Sequence, residues 1–343
     1  MNLELLARLS EAFAVPSREE RVRELVRAEL VGLVDEIRED ALGNLIAVKR
    51  GAGASPRNVM VAAHMDEIGF IVKFIDKDGF LRVQQLGGFD ARNLFARNVV
   101  VCASGGDLPG ILHPSGKPVH LSTEEERKQV PAIKEFMVDL GLPTDEVKRL
   151  VRIGDPVALE QKFRTVGQLL VGKALDDRVS VWVLIEALRA LRNVRHEWTI
   201  HAVFSTQEEI GLRGAIPAAF GLAPDIGIAL DTTIAADTPG VPEDEAVCRS
   251  GAGVGIKVMD SASLSAPHLV REFIALAERH AIAYQLEVLP LGGTDAAGIQ
   301  RSGAGVPVIT LSTPSRYVHT VQEAVHRDDL AATLALLLAW LKG

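Results

Sequence analysis

Several acidic and histidine residues lie next to apolar segments that have the pattern of buried strands. They are His64, Asp176–Asp177, Glu208–Glu209, Asp231 and His319. A charged side chain beside a buried strand needs a partner of opposite charge, and a metal ion is one such partner. Carboxylates and imidazoles at strand ends are frequent ligands in catalytic metal sites. The pattern therefore indicates a metal site formed where several strands end.

Each of these motifs also has a structural explanation when it is considered alone. His64 could be a structural histidine, although Asp66 could also accept a hydrogen bond from its imidazole and fix the tautomer for metal binding. Asp176–Asp177 could be the N-cap of a helix. Glu208–Glu209 could complement the dipole of a helix that begins at Glu209. Alternatively, one of these glutamates binds a metal while its neighbour faces a water molecule, which suits a hydrolase.

Taken together, the candidates favour a site for two divalent metals. The proposed ligands are His64, Asp176, Glu209, Asp231 and His319. The set suffices if one carboxylate bridges, because each metal then also receives one histidine and one terminal carboxylate. Three carboxylates and a bridging hydroxide balance the charge of two divalent ions. Imidazole and carboxylate ligands suit zinc, cobalt and manganese alike.

The composition is that of an ordinary globular protein. The chain has 343 residues, of which 48% are hydrophobic and 24% charged, enough for one large domain and a smaller one. The formal net charge of -8 argues against general nucleic-acid binding, which needs a basic surface. The longest late apolar stretch, 330–341, is too short for a bilayer, which takes ~20 residues. We therefore expect neither a nucleic acid nor a membrane as a partner.

The cysteines and the N-terminal segment bear on the compartment. Cys102 and Cys248 are far apart, so they indicate neither a disulfide framework nor a thiolate zinc site. Residues 1–9 alternate charged and apolar side chains at helical spacing and lack the basic and apolar parts of a leader. Both observations favour a cytoplasmic protein.

Alternating helix and strand patterns predict an α/β fold with a mixed sheet covered by helices. Between residues 69 and 165 the pattern changes to short β-type runs separated by Gly, Asp and Pro. Such runs are typical of a small β-rich module. We therefore expect a larger discontinuous domain, 1–68 and 166–343, interrupted by a β-rich domain at 69–165. The charged stretch Ser122–Arg149 in this insertion predicts a solvent-exposed helical surface.

Hydrophobic periodicity also places the individual elements. The expected helices cover about 2–14, 18–34, 177–191, 266–281 and 330–341, with a further helix beginning at Glu209. The expected strands of the larger domain cover 36–38, 44–49, 58–63, 198–205, 225–231, 253–258, 284–289 and 306–311.

Segments distributed through nearly the whole chain resemble one known family. They are AAHMDEIGF (62–70), GKPVHLS (116–122), KALDDR (173–178), STQEEIGLRGA (205–215), ALDTTIAADTPG (229–240), LGGTDAAGI (291–299) and STPSRYVHT (312–320). Together they resemble the tetrahedral (glutamyl and leucyl) aminopeptidases, which are two-metal metallopeptidases. Members of this family have at times been labelled endoglucanase or cellulase M.

The resemblance implies a role for each proposed metal ligand. His64 and Asp231 would bind one metal. Glu209 and His319 would bind the other, and Asp176 would bridge the two.

The resemblance also implies roles around the metals. Glu208 would be the general base, and Asp66 would orient His64. A cis peptide bond is expected between Asp176 and Asp177. The loop that lines the side-chain pocket would comprise Gly292, Gly293, Thr294 and Asp295. The same residues are also explained as a glycine turn that caps a helix beginning at Thr294.

The implied activity is that of a metal-dependent aminopeptidase acting on peptides with a free N-terminus. The larger domain would be catalytic, and the inserted domain would mediate oligomerisation. The resemblance further implies a homo-oligomer in which dimers assemble into a tetrahedral dodecamer. Lys257, Arg249 and Arg316 could each favour acidic substrate residues, and a surface role is an equal alternative for each.

Other functions remain open at this stage. A deacylase or a carboxypeptidase could use the same pair of metals. A glycanase is the weakest alternative, because 3 Trp and 2 Tyr offer few stacking surfaces for a sugar. A noncatalytic peptide-binding scaffold could lose the general base, whereas this chain retains Glu208.

Overall fold

A large mixed β-sheet and a small β-barrel form the two main parts of the structure. The computed structural model describes residues 1–53 and 56–343. Its helices are α1 (Leu3–Glu11), α2 (Glu20–Leu30), α3 (Glu124–Lys128), α4 (Thr144–Leu150), α5 (Leu175–Ala190), α6 (Ala215–Leu222), α7 (Pro267–Arg279), α8 (Asp295–Gln300) and α9 (Arg327–Lys342). Its strands are β1 (Glu36–Glu39), β2 (Leu45–Lys49), β3 (Asn58–His64), β4 (Gly69–Ile75), β5 (Leu81–Leu86), β6 (Arg97–Ala103), β7 (Gly106–Pro114), β8 (Phe136–Asp139), β9 (Pro156–Leu159), β10 (Arg164–Val166), β11 (Leu169–Gly172), β12 (Thr199–Ser205), β13 (Ile226–Ile234), β14 (Val254–Met259), β15 (Tyr284–Val288), β16 (Val308–Arg316) and β17 (Glu323–His326).

The large sheet is mixed, as the sequence predicts. Within the described residues it has 11 strands in the order β1-β2-β12-β3-β13-β16-β17-β11-β10, with β14 beside β16 and β15 beside β14. The central strands β12, β3, β13 and β16 run parallel, and the strands next to them at both sides are antiparallel. Parallel strands bring their carboxyl ends to one edge of the sheet, where α/β proteins commonly bind ligands.

The central strands consist of nearly continuous apolar residues because helices cover both faces of the sheet. Residues 59–64 of β3 are all buried. On one face they pack with α1, α2, α5, α7 and α9, in a core that includes Val61 and Trp182. On the other face α6 and α8 form a smaller core around Met60 and Ile299. The two cores hold the ends of the central strands in place.

The last helix packs against its neighbours through stacked aromatic rings. Trp340 of α9 stacks against Trp198 and Phe273, with ring centroids 5.0 and 5.9 Å apart. Aromatic pairs of this kind contribute ~0.5–1.5 kcal/mol beyond their burial. Among the described residues, no helix combines the length and the apolar character needed to cross a membrane.

The barrel is formed by β4 to β9, which close in the order β4-β5-β8-β7-β6-β9. Its interior is apolar and includes Phe70, Val99, Phe136 and Val157. The barrel strands come from the region predicted to be β-rich, and they confirm an inserted small β-rich unit. The exact division at 69–165 stays a prediction.

Both ends of the inserted unit are attached to the last residue of α1 and the segment that follows it. At the first end, the amide of Ala14 donates to Glu67 Oε1 at 2.9 Å, and the amide of Glu67 donates to the carbonyl of Ala14 at 2.9 Å. At the second end, Glu11 accepts from Lys162 Nζ at 2.7 Å and from the amide of Phe163 at 3.1 Å. The chain therefore leaves and re-enters the larger part beside residues 11–14.

The charged stretch Ser122–Arg149 only partly matches the predicted helical surface. Residues 122–132 are mostly exposed, and α3 and α4 supply two short helices. Between them lies β8, whose Phe136 is fully buried in the barrel. The prediction missed this strand because charged neighbours mask one short apolar element.

The helix predicted to begin at Glu209 is wrong. The segment after β12 is a loop, and α6 begins at Ala215. Gln207 and Leu212 have φ angles of 56° and 58°, which an α-helix does not allow. The loop closes on itself through a hydrogen bond from the amide of Gly214 to the carbonyl of Thr206 at 3.0 Å. The short strands β10, β11 and β17 had no counterpart among the predicted elements.

Candidate metal centre

The parallel strands deliver most of the candidate residues to one edge of the sheet. His64 is the last residue of β3, and in the register of the sheet it lies opposite Ser205, the last residue of β12. Glu208 and Glu209 follow three and four residues later in the loop. Asp231 lies within β13, which continues to Ile234. The sheet thus places these side chains near one another although they are distant in sequence.

The other two candidates come from neighbouring segments. Asp176 lies in the first turn of α5, directly after β11, and His319 lies in the loop between β16 and β17. The peptide bond between Asp176 and Asp177 is cis, which confirms the expectation. Asp176 and Asp177 have non-helical φ and ψ angles, so the regular part of α5 begins after them. The alternative that Asp176–Asp177 form the N-cap of this helix stays a prediction.

The five candidate ligands form two groups that share Asp176. His64, Asp176 and Asp231 form one group, and Asp176, Glu209 and His319 form the other. Within each group the ligand atoms all lie within 4.8 Å of one another. Asp176 Oδ1 is 3.2 Å from His64 Nε2, and its Oδ2 is 3.6 Å from His319 Nε2. The two carboxylate oxygens of one residue therefore face two different histidines.

Asp66 supports the centre through the main chain as well as through His64. Its carboxylate accepts hydrogen bonds from the amides of Glu208 at 3.0 Å and Glu209 at 3.1 Å. His64 Nδ1 lies 3.1 Å from the carbonyl oxygen of Asp66 and 3.5 Å from its Oδ1. Asp66 is fully buried. It can therefore fix the loop that carries both glutamates as well as the imidazole ring.

Glu208 lies beside the first group without belonging to it. Its Oε2 is 3.9 Å from His64 Nε2, and the residue is buried. Burial raises the pKa of Glu208 well above its usual range, and the Asp231 carboxylate adds to this effect while His64 opposes it. A carboxylate whose charged form is disfavoured by burial is a stronger base than an exposed one, which suits a proton acceptor.

The electrostatics show an excess of buried negative charge. Burial raises the pKa of Asp231 well above its usual range, with the Asp176 carboxylate as a second cause. Burial also acts to raise the pKa of Asp176, but hydrogen bonds from His319 and His64 outweigh it and the pKa is lowered. Carboxylates this close need positive charge in order to ionise together.

Divalent cations fit this arrangement. Glu209 Oε1 is buried and has no hydrogen-bond partner among the described residues. Each group combines one imidazole nitrogen with carboxylate oxygens, a donor set typical of zinc and related metals. Two such ions sharing Asp176 would supply the missing positive charge and a partner for the buried oxygen.

The predicted pocket loop lies next to the centre at one end. Asp295, the first residue of α8, accepts a hydrogen bond from Ser205, the residue opposite His64. Burial raises the pKa of Asp295 to about 6. Thr294 is also buried, and its hydroxyl contacts Thr310 Oγ1 at 3.1 Å. No capping hydrogen bond from Thr294 to α8 is present in this described segment, so its hydroxyl joins the loop to the sheet.

Gly292 and Gly293 form the turn that precedes α8. Gly292 has a φ angle of 98°, and its carbonyl accepts a hydrogen bond from Ser261 at 2.5 Å. Gly293 passes close to Ala262, because a Cβ at this position would lie 2.9 Å from the Ala262 Cβ. The turn therefore requires a positive φ angle at Gly292 and leaves little room for a side chain at Gly293.

The three cations considered for acidic substrates all have carboxylate partners. The Lys257 ammonium lies 2.8 Å from Glu287, and Arg316 contacts Asp237 at 2.7 Å. The exposed Arg249 contacts Glu243 at 3.3 Å. A buried pair such as the first leaves no free positive charge for a substrate.

Sequence reasoning missed a buried ion cluster behind the centre. Lys173 Nζ contacts both oxygens of Glu67 at 2.8 and 2.6 Å. Arg178 lies 3.6 Å from the same carboxylate and donates to the carbonyl of Met65 at 2.8 Å. All three charged side chains are buried. Basic residues embedded in apolar segments were the available signal, since a buried cation requires a partner.

The fold and the site together are those of a metal-dependent hydrolase: a mixed α/β sheet with imidazoles and carboxylates collected at its strand ends. The sequence pattern of the M42 glutamyl aminopeptidases matches residues 43–336. A putative aminopeptidase of Acetivibrio thermocellus is 36% identical, over 98% of this chain and 97% of its own. The lysyl aminopeptidase of Pyrococcus furiosus is also 36% identical, over 99% of this chain and 96% of its own.

Solved structures agree with this comparison. The TET aminopeptidase of a marine sediment Thaumarchaeota archaeon superimposes with a TM-score of 0.95 at 32% identity, over 99% of this chain and 95% of its own. The TET1 peptidase of Pyrococcus horikoshii, which can assemble into a tetrahedron or a large octahedral shell, gives 0.88 at 30% identity, over 99% and 98%. The chain belongs to the M42 glutamyl aminopeptidase family. It is a metallopeptidase of the exopeptidase class.

Proposed function

We propose that this protein removes the N-terminal residue from peptides with the help of two divalent metals held by the two ligand groups. The observation that carries the proposal is the position of Asp176, whose two carboxylate oxygens face His64 and His319. One ion would be bound by His64, Asp176 and Asp231, and the other by Asp176, Glu209 and His319. When bound, the ions would supply Lewis-acid chemistry, acidifying water and polarising the scissile carbonyl.

In this mechanism Glu208 is the general base. It lies beside the ligands but outside both groups. Its raised pKa suits a group that takes a proton from the attacking water and then delivers it to the leaving amine. Asp66 holds the amides of both loop glutamates, so the base keeps a fixed position relative to the neighbouring ligand Glu209.

The excess of carboxylates also supports recognition of a free α-amine. The free α-amine of the substrate would be held by one of the bound metals, with the acidic residues Glu208 and Asp295 nearby but outside both ligand groups. An acylated N-terminus has no such amine. This difference favours an aminopeptidase over a deacylase or a carboxypeptidase.

We propose that the pocket next to Gly292–Asp295 receives the side chain of the first substrate residue and does not select for acidic side chains. The support for this is the pairing of Lys257, Arg249 and Arg316 with carboxylates. A glutamyl substrate would find no free cation among them, so leucyl or lysyl substrates should be cleaved at least as fast.

The ions are proposed to be zinc, cobalt or manganese, since the ligand set does not distinguish between them.

The protein is further proposed to be a cytoplasmic homo-oligomer. Both cysteines are free thiols, which agrees with a reducing compartment. The inserted domain, proposed at 69–165, exposes the apolar side chains of Val119, Leu121 and Val130. We propose that it joins subunits into dimers and these into a tetrahedral dodecamer, which light scattering in solution would test.

The activity is tested with aminoacyl chromogenic amides that carry glutamyl, leucyl or lysyl groups, each with and without N-acetylation. The enzyme is first chelated and then refilled with zinc, cobalt or manganese. We expect metal-dependent cleavage of the free-amine substrates only. Cleavage of the acetylated substrates would favour a deacylase, and no cleavage with any metal would favour a peptide-binding scaffold.

A further inference from the structure

Glu323, the first residue of β17, binds the main chain of two proposed metal ligands. Its Oε2 accepts a hydrogen bond from the amide of Asp176 at 2.9 Å. Its Oε1 accepts a hydrogen bond from the amide of His319 at 2.8 Å. Only 2% of the residue is exposed. Each carboxylate oxygen thus satisfies one main-chain donor, and both donors belong to proposed ligands.

These hydrogen bonds join two segments that are far apart in the chain. Asp176 lies at the start of α5, whereas His319 lies in the loop before β17. The two side chains also approach each other, with Asp176 Oδ2 3.6 Å from His319 Nε2. The two proposed ligands are therefore connected twice. Their side chains approach each other, and their main-chain amides both donate to the carboxylate of Glu323.

The loop that carries His319 has a conformation that needs external support. Tyr317 and His319 have φ angles of 61° and 62°, in the left-handed region that residues other than glycine seldom adopt. Two further hydrogen bonds stay inside the loop: Thr320 Oγ1 donates to the carbonyl of Tyr317 at 2.7 Å and accepts from the amide of Gln322 at 3.0 Å. Glu323 connects this loop to α5.

We propose that Glu323 is a positioning residue that holds Asp176 and His319 in the geometry required to bind the metal pair. The proposal rests on the proposed function, because it concerns the same site. Glu323 reaches the site through the amides of the two ligands, so it acts on the metals only through them. Loss of such a supporting contact typically weakens metal binding or activity by ~10–100-fold.

The chain offers a matched control in Asp329 of α9. This residue is also fully buried, and its two oxygens accept hydrogen bonds from the amides of Gly251 and Gly253, both at 2.7 Å. Neither glycine belongs to the proposed metal centre. Glu323→Gln and Asp329→Asn are therefore equivalent changes, since each keeps one acceptor oxygen and places an NH₂ group opposite a main-chain donor.

The test uses the full chain, stripped with a chelator and titrated with Co²⁺. Binding is followed by the visible absorption of the ion, and hydrolysis of a leucyl amide is measured at each Co²⁺ concentration. We expect Glu323→Gln to need ~10–100-fold more Co²⁺ for half-saturation, with a changed absorption spectrum. Asp329→Asn should unfold at a lower temperature but bind Co²⁺ like the wild type.

Unchanged Co²⁺ affinity and spectrum in Glu323→Gln, together with lower unfolding temperatures in both variants, would overturn the proposal and leave Glu323 with a role in stability alone. If the wild type itself bound no Co²⁺, the proposed function would fail instead. Should Glu323→Gln not fold, Glu323→Asp keeps both oxygens on a shorter side chain, and the same affinity criterion applies to it.

Discussion

Two adjacent glutamates show how one short loop can serve two parts of a site. Asp66 accepts the amide hydrogens of both. From this common anchor, the Glu208 side chain approaches His64 at 3.9 Å, whereas the Glu209 side chain approaches His319 at 3.4 Å. Neighbouring residues thus reach opposite sides of the centre. A proton acceptor and a ligand can therefore be placed by a single supporting carboxylate.

Glu208→Gln should separate catalysis from metal binding. The amide has nearly the same shape as the carboxylate but cannot accept the proton of the attacking water, so we expect kcat to fall by at least ~100-fold, in line with the usual contribution of a general base. Metal binding should remain close to that of the wild type, as calorimetric titration with zinc would show.

Glu209→Gln is the matched comparison, since it makes the same chemical change one residue away. It removes charge from a proposed ligand, and we expect weaker zinc binding as the main effect. Turnover near the wild-type value in Glu208→Gln would contradict the assignment of the base.

The residue types of the site can be predicted from the sequence, but the contacts that orient these residues can be predicted only in part. His64 and Asp231 stand out because charged groups follow apolar strand patterns. The carboxylates of Asp66 and Glu323, in contrast, bind main-chain amides. Every residue except proline carries such a donor, so these contacts leave no signal in residue type or spacing.

At the scale of elements, the segment between β12 and α6 determines where the two glutamates point. Asn44, in front of β2, accepts the amide hydrogen of Thr206 at 2.9 Å and donates to the carbonyl of Gly214 at 2.9 Å. One side chain therefore holds both ends of the loop. The segment is a turn between strand and helix rather than the first turn of the helix.

Gly214→Ala should destabilise this loop. A Cβ at this position would lie 2.5 Å from the carbonyl oxygen of Thr206, which is a main-chain atom and cannot move without disturbing the loop. We expect a loss of ~1–3 kcal/mol in the free energy of unfolding, as for other overpacked sites. Denaturant titration measures this loss, and activity should fall with it because Glu208 and Glu209 share the loop.

Gly221→Ala provides the opposite case in the helix that follows. Gly221 lies inside α6, and a Cβ there would meet no atom of residues 1–53 and 56–343 within 4 Å. Alanine should stabilise the protein by ~0.5–1 kcal/mol, because glycine is the poorer helix former. Equal effects of the two substitutions would show that the close approach at Gly214 does not constrain the loop.

Long elements follow the sequence patterns closely, whereas several short ones do not. The strand predicted at 58–63 is β3 (Asn58–His64), and the helix predicted at 330–341 lies within α9 (Arg327–Lys342). β17 has 4 residues and β10 has 3, which leaves little length for a periodic pattern, although the 4-residue β1 was predicted at 36–38. The helix expected from Glu209 does not form. Two acidic residues in a row are typical of a helix start, but in the structure Asp66 accepts hydrogen bonds from the amides of Glu208 and Glu209 and holds them in a loop.

For the whole molecule, the main electrostatic cost lies in the centre. Burial raises the pKa of Glu208, Asp231 and Asp177, and neighbouring carboxylates add to the effect. The cluster behind the centre is different, because Lys173 and Arg178 surround Glu67 with positive charge. The fold thus neutralises one buried acidic region with its own side chains and leaves the other to external cations.

Removal of the metals should therefore destabilise the protein. A ligand that binds only the folded state adds RT ln(1 + [L]/Kd), or ~2.7 kcal/mol at a hundredfold excess over Kd. We expect chelation to lower the unfolding temperature and refilling with zinc to restore it, as calorimetry would measure. An unfolding temperature that does not respond to chelation would argue against metals in this cluster.

The attachment of the barrel has a consequence for how this architecture could have arisen. Glu11 holds the returning end of the insertion, and Ala14 holds the departing end. Both contacts are made by one short segment of the larger part of the structure. Of the two hydrogen bonds between Ala14 and Glu67, one joins main-chain groups only and the other joins the Ala14 amide to the Glu67 carboxylate. A gene segment could therefore be inserted or exchanged between these two points in one event, without altering the strands that carry the proposed site residues. The inserted module can therefore change independently of the sheet edge at which the proposed ligands meet.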